Sequence, residues 1–258
     1  MSRWRIRPVV RGEVLAEKSE ILVYQEPGIK VWVPSVVWYL TDGPNHVLVD
    51  SGFDDPTSAG ASGAGYSVRA HLGLDEALRR VGCSPSLVTT ILFTHLHWDH
   101  CGNLHLFPNA RLLVQREEVR YASAPMDFDA SAYNSPCAGG APAWLGPRLS
   151  FLDGETEILP GIRVLPTPGH SPGHQSVLVD TRGGTYGIAG DLFPTNENAH
   201  YGERKEIYPP ACLDYVSWYA SARKLICMCD ILLPSHDPQL AENWIPADEA
   251  PTRAGSPR

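Results

Sequence analysis

No apolar run in this 258-residue chain approaches the ~20 residues that a membrane-spanning helix requires. A secretory signal is not evident either. "MSRWRIRPVVRGEV" carries basic residues but no continuous apolar segment before Glu13. The cytoplasm is the expected compartment, and no membrane partner is expected. Basic charge is also scarce: 21 Lys and Arg stand against 29 Asp and Glu, a net charge of −8 without a Lys/Arg cluster. Nucleic acid is held chiefly by cationic side chains on phosphates, so it is not expected as a partner. Six cysteines in a chain this long do not make a small disulfide scaffold, and free thiols are expected. Cys227 and Cys229 sit where a helix end runs into a buried strand, which argues against a metal site there. Repeats and a strong linker are lacking too. Residues 1–258 therefore read as one domain, with a polar, Pro-rich tail from about residue 239.

What is present is the composition of a globular protein, 43% hydrophobic and 19% charged. "GIKVWVPSVVWYL" and "HVLVDSG" are β-branched and aromatic runs joined by the turn "TDGPN", which predicts a hairpin. Asp54 to Ser67 is rich in Gly, Ser and Ala and reads as a loop. "VRAHLGLDEALRRVG" has helical spacing and ends in Gly82. "LVTTILFTH", "ARLLVQ", "IRVLPT", "HQSVLVD", "TYGIAGD" and "DILLPSH" read as short strands, and "LDYVSWYASARKLI" as an amphipathic helix. Tyr121 to Pro147, rich in Ala, Pro, Gly and Ser, reads as an insertion or lid. Strands mixed with helices predict an α/β sandwich.

The stretch "FTHLHWDHCGN" packs His95, His97, Asp99 and His100 into six residues at a strand end. Side chains alternate along a strand with period two, so the His-x-His pair projects two imidazoles to one side. Asp99 and His100 follow once the chain turns, and can aim at an adjacent position. Imidazole and carboxylate are zinc-type ligands. Three distant segments repeat the arrangement of a ligand-type residue at a strand terminus followed by turn residues: "PTPGHSPGH" with His170, "YGIAGD" with Asp191 and "ILLPSHDP" with His236. Loops at strand ends are where a rigid sheet presents functional groups.

This set of motifs, with "VLVDSG" at Val47 to Gly52 upstream, resembles the metallo-β-lactamase superfamily. The resemblance implies a four-layer αβ/βα sandwich with two divalent metal ions at one edge. His95, His97 and His170 would hold one metal; Asp99, His100 and His236 would hold the other; Asp191 would bridge them. Asp50 would orient the ligand loop. Zinc is the first expectation, with iron, manganese or cobalt also suited to such ligands. The reaction implied is hydrolysis by a metal-bridging hydroxide, with Asp99 and Asp191 as catalytic residues and no protein nucleophile.

Within the superfamily, several branches fit poorly. Asp191 stands where one major group of true β-lactamases has a cysteine. Only 22 residues follow His236, too few for the extra domain of a glyoxalase II. The flavodoxin domain of flavodiiron proteins and the basic arm of ribonuclease Z relatives have no counterpart. The chain is most similar to the lactonase branch, which includes N-acyl homoserine lactonases and 4-pyridoxolactonase. Ring opening of a small lactone is therefore the expected activity. A cyclic amide, aryl ester or phosphotriester is the alternative substrate, and a non-catalytic metal-binding role the alternative of another class. Lactonases of this branch commonly carry a tyrosine three residues after the bridging aspartate. Here "GDLFPT" places Pro194 there, with Phe193 beside it, and Tyr201, Tyr208 or the lid could substitute. Phe193, Tyr66, Phe128 and Trp144 are the candidate substrate-binding residues. Trp98 either packs under the site or lines its rim. His105 is expected as a helix or loop residue, His174 as a hydrogen-bonding partner of the TPGH loop, and His46, His71 and His200 at the surface. A small molecule is the expected partner; a homodimer is left open.

Overall fold

A computed structural model describes residues 4–54, 66–199 and 207–242. The strands β1 (Arg5–Glu17), β2 (Lys30–Thr41), β3 (His46–Val49), β4 (Ser67–Ala70), β5 (Thr90–Leu92), β6 (Arg111–Gln115) and β7 (Leu149–Leu152) form one sheet. Its order is β4-β1-β2-β3-β5-β6-β7. The strands β8 (Thr156–Leu159), β9 (Ile162–Pro166), β10 (Gln175–Thr181), β11 (Gly184–Ile188) and β12 (Ile231–Leu233) form the second, in the order β12-β11-β10-β9-β8. The expected hairpin is present: β2 and β3 pair antiparallel, with Trp38 opposite Val49 and Thr41 opposite His46.

Strand alternation explains the layering, because neighbouring residues point to opposite faces of a sheet. Trp38, Leu40, Val47, Val49, Leu92 and Leu113 meet Val164, Val177, Val179 and Ile188 between the sheets. Their neighbours Val37, Tyr39, Leu48, Ile91, Leu112 and Val114 face the other way, onto Leu74 and Leu78 of the helix Leu74–Arg80 and Ala122 of the helix Arg116–Ala122. Leu165 and Leu178 similarly face Trp218, Ala222 and Leu225 of the helix Tyr215–Met228. Both faces of each sheet are thus apolar, which gives the order helix, sheet, sheet, helix.

Three expectations are corrected. Ser67–Ala70 is a strand, so the helix expected across "VRAHLGLDEALRRVG" starts only at Leu74. β1 lies outside the expected strands; a bulge between Val10 and Glu13 breaks its alternation. Pro8 is tolerated because β4 pairs only with Gly12 to Leu15, leaving β1 without an outer neighbour at Pro8. Tyr121 to Pro147, expected as an insertion or lid, is largely irregular beyond its first two residues, but it packs into the core through Tyr133 and Trp144. The supposed tail begins with a short helix, Pro238–Glu242. Among the described residues no helix is long and apolar enough to cross a membrane, and none of the six cysteines is paired.

Candidate metal centre

The ligand-type residues converge where strands of both sheets end. Beyond β3, Asp50 adopts φ 62°, a left-handed conformation uncommon outside glycine. This turns its carboxylate under the histidine segment. Asp50 Oδ1 accepts from Thr94 N–H at 2.7 Å, and Oδ2 accepts from Thr94 Oγ1 and His100 Nδ1, each at 2.8 Å. Gly102 lets the chain pass closely: a Cβ there would lie 2.5 Å from Asp54 N. The second sheet is tied to the same edge. Gln175, which opens β10, donates from its backbone to Thr94 O at 2.9 Å and from its amide to Phe93 O at 2.7 Å.

Asp191 occupies the centre. Its Oδ1 lies 3.2 Å from His100 Nε2 and 3.1 Å from His236 Nε2. Its Oδ2 lies 3.5 Å from His170 Nε2 and 3.8 Å from His95 Nε2. One carboxylate thus presents an oxygen to each of two groups. His95, His97, His170 and Asp191 form the first; Asp99, His100 and His236 form the second. Within each group the donor atoms lie no more than 4.8 Å apart. Asp99 Oδ2 faces His100 Nε2 at 3.8 Å and His236 Nε2 at 3.7 Å. Ser235 Oγ donates to Asp191 Oδ1 at 2.6 Å, which fixes the carboxylate from behind.

The outer nitrogens of four imidazoles have oxygen partners. His95 Nδ1 is 3.0 Å from Thr94 Oγ1 and His100 Nδ1 is held by Asp50. His170 Nδ1 is 3.2 Å from Ala211 O, and His236 Nδ1 is 2.8 Å from Pro34 O. Directing Nδ1 outward leaves each Nε2 as the ring nitrogen aimed at the centre. His97 is turned the other way. Its Nδ1 lies 3.1 Å from His170 Nε2, and its Nε2 points outward.

The electrostatics follow from burial and crowding. Burial holds His95 and His97 well below the ordinary imidazole value, and neighbouring histidines push the same way. Both are therefore neutral, the state in which an imidazole can bind a metal. Burial would also lower His100, but Asp191, Asp99 and Asp50 outweigh it and raise it well above 6.5. Burial would raise Asp191, yet His100 and His236 hold it well below the usual carboxylate range. His174 lies behind His95, with ring centroids 5.3 Å apart, and its Nδ1 donates to Thr167 O at 3.1 Å. Burial pushes it down to about 3, so it is a neutral partner of the TPGH loop.

A cavity of about 340 Å³ opens over this cluster. His97, Asp99, His170, Asp191 and His236 lie at its polar end, and Tyr66, Trp98, Phe128 and Pro194 line it. Trp98 does both things considered for it: it lines the cavity and packs against Phe53, with ring centroids 6.2 Å apart. Two candidate substrate residues are placed elsewhere. Phe193 is fully buried against Trp218 on the outer face of the second sheet. Trp144 is buried in the core beside the first sheet. Each is an aromatic that the core consumed. Tyr208 lies beside a different surface hollow; Tyr201 and His200 lie outside the described residues, as do residues 55–65 of the expected loop. His105 is exposed in the 3₁₀ turn Leu104–Leu106, and His71 is exposed against Glu13. His46 is half-buried on Tyr39.

Glu118 escaped the sequence reading. It is fully buried, and its carboxylate accepts from Leu96 N–H at 3.0 Å, Tyr133 OH at 2.9 Å, Ser171 Oγ at 2.6 Å and Gly173 N–H at 3.2 Å. Leu96 separates His95 from His97, and Ser171 follows His170. One buried carboxylate therefore clamps both ligand loops. Gly173 is required by the same approach, since a Cβ there would lie 2.0 Å from Glu118 N.

Residues 31–236 match the family model of the metallo-beta-lactamase superfamily. An N-acyl homoserine lactonase of Bacillus cereus is 30% identical over 204 residues, 74% of this chain and 76% of that protein. An N-acyl homoserine lactonase of a Bacillus species is 36% identical over the same extent. Among solved structures, a mutant of the B. thuringiensis protein AiiA with N-decanoyl-L-homoserine bound at its active site superposes with a TM-score of 0.77. The sequences are 24% identical, over 95% of this chain and 100% of that one. The sandwich, the strand-end cluster and the family match agree: this chain belongs to the metallo-beta-lactamase superfamily.

Proposed function

We propose that this protein is a metal-dependent hydrolase that opens a lactone ring, with N-acyl homoserine lactones as the leading substrate class. The observation that carries the proposal is the Asp191 carboxylate at the cavity floor, one oxygen toward each group of imidazoles. The donor set suits divalent metals. His95 Nε2 is buried without a hydrogen-bond partner, which is costly for a polar atom unless something else engages it. His95, His97 and His170 would hold one ion, Asp99, His100 and His236 a second, with Asp191 shared. Such ions, when bound, polarise an ester carbonyl and make water nucleophilic near neutral pH.

The chain's own residues do the rest. Asp50, Pro34 and Ala211 hold the imidazoles in the tautomer that faces the centre. Asp99 lies at the cavity surface, where it can take a proton from water or pass one to a departing alkoxide. Val14, Ile21, Val33, Trp98, Phe128 and Leu213 give the cavity an apolar wall that suits an acyl chain. No Lys or Arg lines it among the described residues, which disfavours an anionic substrate.

An alkoxide leaves without strong acid catalysis, whereas an amide nitrogen must be protonated as it leaves. Ring opening of a lactone should therefore exceed that of the matched lactam in kcat/KM. Paired kinetics on the two rings with metal-loaded protein test this. A lactam preference, or no turnover of any lactone, would overturn the reading.

A further inference from the structure

Four of the five clustered imidazoles have an oxygen on the outer ring nitrogen; His97 does not. Its outer Nε2 is buried and without a hydrogen-bond partner. The carboxylate that faces it is Asp129, whose Oδ1 lies 4.0 Å away. Asp129 belongs to the irregular segment after the helix Arg116–Ala122, and nothing in its sequence context marks it as part of a metal centre.

Asp129 is itself half satisfied. Its Oδ2 accepts from Tyr121 OH at 3.0 Å. The Tyr121 oxygen in turn accepts from Met126 N–H at 3.4 Å, which directs its hydroxyl proton toward Asp129. Oδ1 has no hydrogen-bond partner among the described residues. The Asp129 backbone is held in a turn, donating to Met126 O at 2.9 Å and accepting from Ala132 N–H at 3.1 Å. The same segment is pinned at Trp98, whose N–H donates to Ala132 O at 2.8 Å. A buried ring nitrogen lacking an acceptor and a carboxylate oxygen lacking a donor thus face each other across a short gap.

We propose that Asp129 is the positioning residue of His97: its Oδ1 accepts a hydrogen bond from Nε2–H, which would hold Nδ1 toward the metal of the first group. The inference rests on the metal-centre reading above. Direct contact needs about 1 Å of approach to reach hydrogen-bond distance. Asp129 also lies on the cavity wall, so this outer partner is open to solvent on one side. Tyr121 acts one step further out, by fixing the carboxylate.

Chelator competition on the purified full chain tests this, with zinc as the probe and the d–d absorption of cobalt as the site-specific signal. Removing an outer partner of a ligating histidine typically weakens metal binding about 10–100-fold. Asp129→Ala should show that loss for one of two ions and leave the other unchanged. Asp129→Asn keeps an acceptor oxygen and should restore part of the affinity. Tyr121→Phe should shift it less, in the same direction. Turnover of Asp129→Ala should recover on adding metal, and its unfolding midpoint in excess chelator should match that of the parent. Unchanged affinity for both ions in Asp129→Ala would overturn the proposal. A lowered midpoint of the metal-free protein with unchanged affinity would overturn it too, by making Asp129 a packing residue. If the parent protein itself bound no metal, the metal-centre reading would fail first, and the titration separates the two.

Discussion

Replacing Glu118 by Gln changes one atom in the clamp between the ligand loops, and the consequence can be worked out from its four donors. Oε1 serves Leu96 N–H and Tyr133 OH; Oε2 serves Ser171 Oγ and Gly173 N–H. The amide nitrogen of the variant must face one of these pairs. A hydroxyl can rotate and accept from it, but a backbone N–H cannot. Whichever way the amide turns, one buried backbone N–H loses its acceptor, at a cost of about 1–3 kcal/mol. Losing the buried charge offsets a little of this, because an ionised group in the interior is itself costly. A net loss near 2 kcal/mol corresponds to a Tm lower by roughly 4–8 °C in a chain of this size. Glu118→Ala would strip all four donors and approach the whole stability of a typical domain, about 5–15 kcal/mol, so Gln is the informative change.

The same variant gives a pH signature. Burial raises the Glu118 carboxyl above 4.5, and the hydrogen bonds from Ser171, Leu96, Tyr133 and Gly173 only partly oppose it. In the window opening upward from 4.5, the folded chain keeps this proton and the unfolded chain has released it. The folded state then binds more protons, so this group's contribution to stability falls as pH rises through the window. The variant lacks the group. The stability gap between parent and Glu118→Gln should therefore narrow as pH rises above 4.5. Thermal unfolding of both proteins across that range is the assay, with metal content measured alongside. A Tm within about 1 °C of the parent, with a gap flat in pH, would refute the clamp.

Asp191→Asn should lower bound metal from about two ions per chain toward one or fewer by elemental analysis, because one carboxylate serves both groups. Turnover should fall by more than the ~10–100-fold typical of losing an outer partner. Cys101→Ser should keep most of the turnover, since burial pushes that thiol well above its ordinary value and away from thiolate chemistry; inactivation with metal still bound would point to a protein nucleophile. Zinc affinity should increase as pH rises through neutrality. Asp191, Asp99 and Asp50 outweigh burial and keep a proton on His100 above 6.5, and the metal must displace it. Calorimetric titration at several pH values, showing no proton release, would contradict this.

The parts of the site that were legible in the sequence are those where chemistry demands a residue type. Imidazole and carboxylate suit a divalent ion, so His95, His97, Asp99, His100, His170, Asp191 and His236 stand out at strand ends in the sequence alone, and the fold gathers them. An outer acceptor needs only an oxygen, and every residue has one. His236 leans on the carbonyl of Pro34 and His170 on that of Ala211, and neither identity could have been read as functional. Glu118 was hidden for a related reason. It stands in "QREEVRYA" beside Glu117, which pairs with Arg120 at the surface, and only the approach of Gly173 shows which glutamate turns inward. Aromatic side chains mislead in the opposite direction. Phe193 is two residues from Asp191, but the chain passes from β11 through a 3₁₀ turn there, and its ring is buried against Trp218. Proximity along the chain carries a side chain to the cavity only when backbone direction agrees, and that direction is set by sheet packing far away. The larger strand pattern was legible where β-branched and aromatic residues are dense, as in β2 despite Pro34 and in β10, and lost in β1, where a bulge breaks the alternation. The architecture therefore follows from burial on both faces of each sheet, while the orientation of the imidazoles depends on backbone carbonyls that only the assembled fold brings into place.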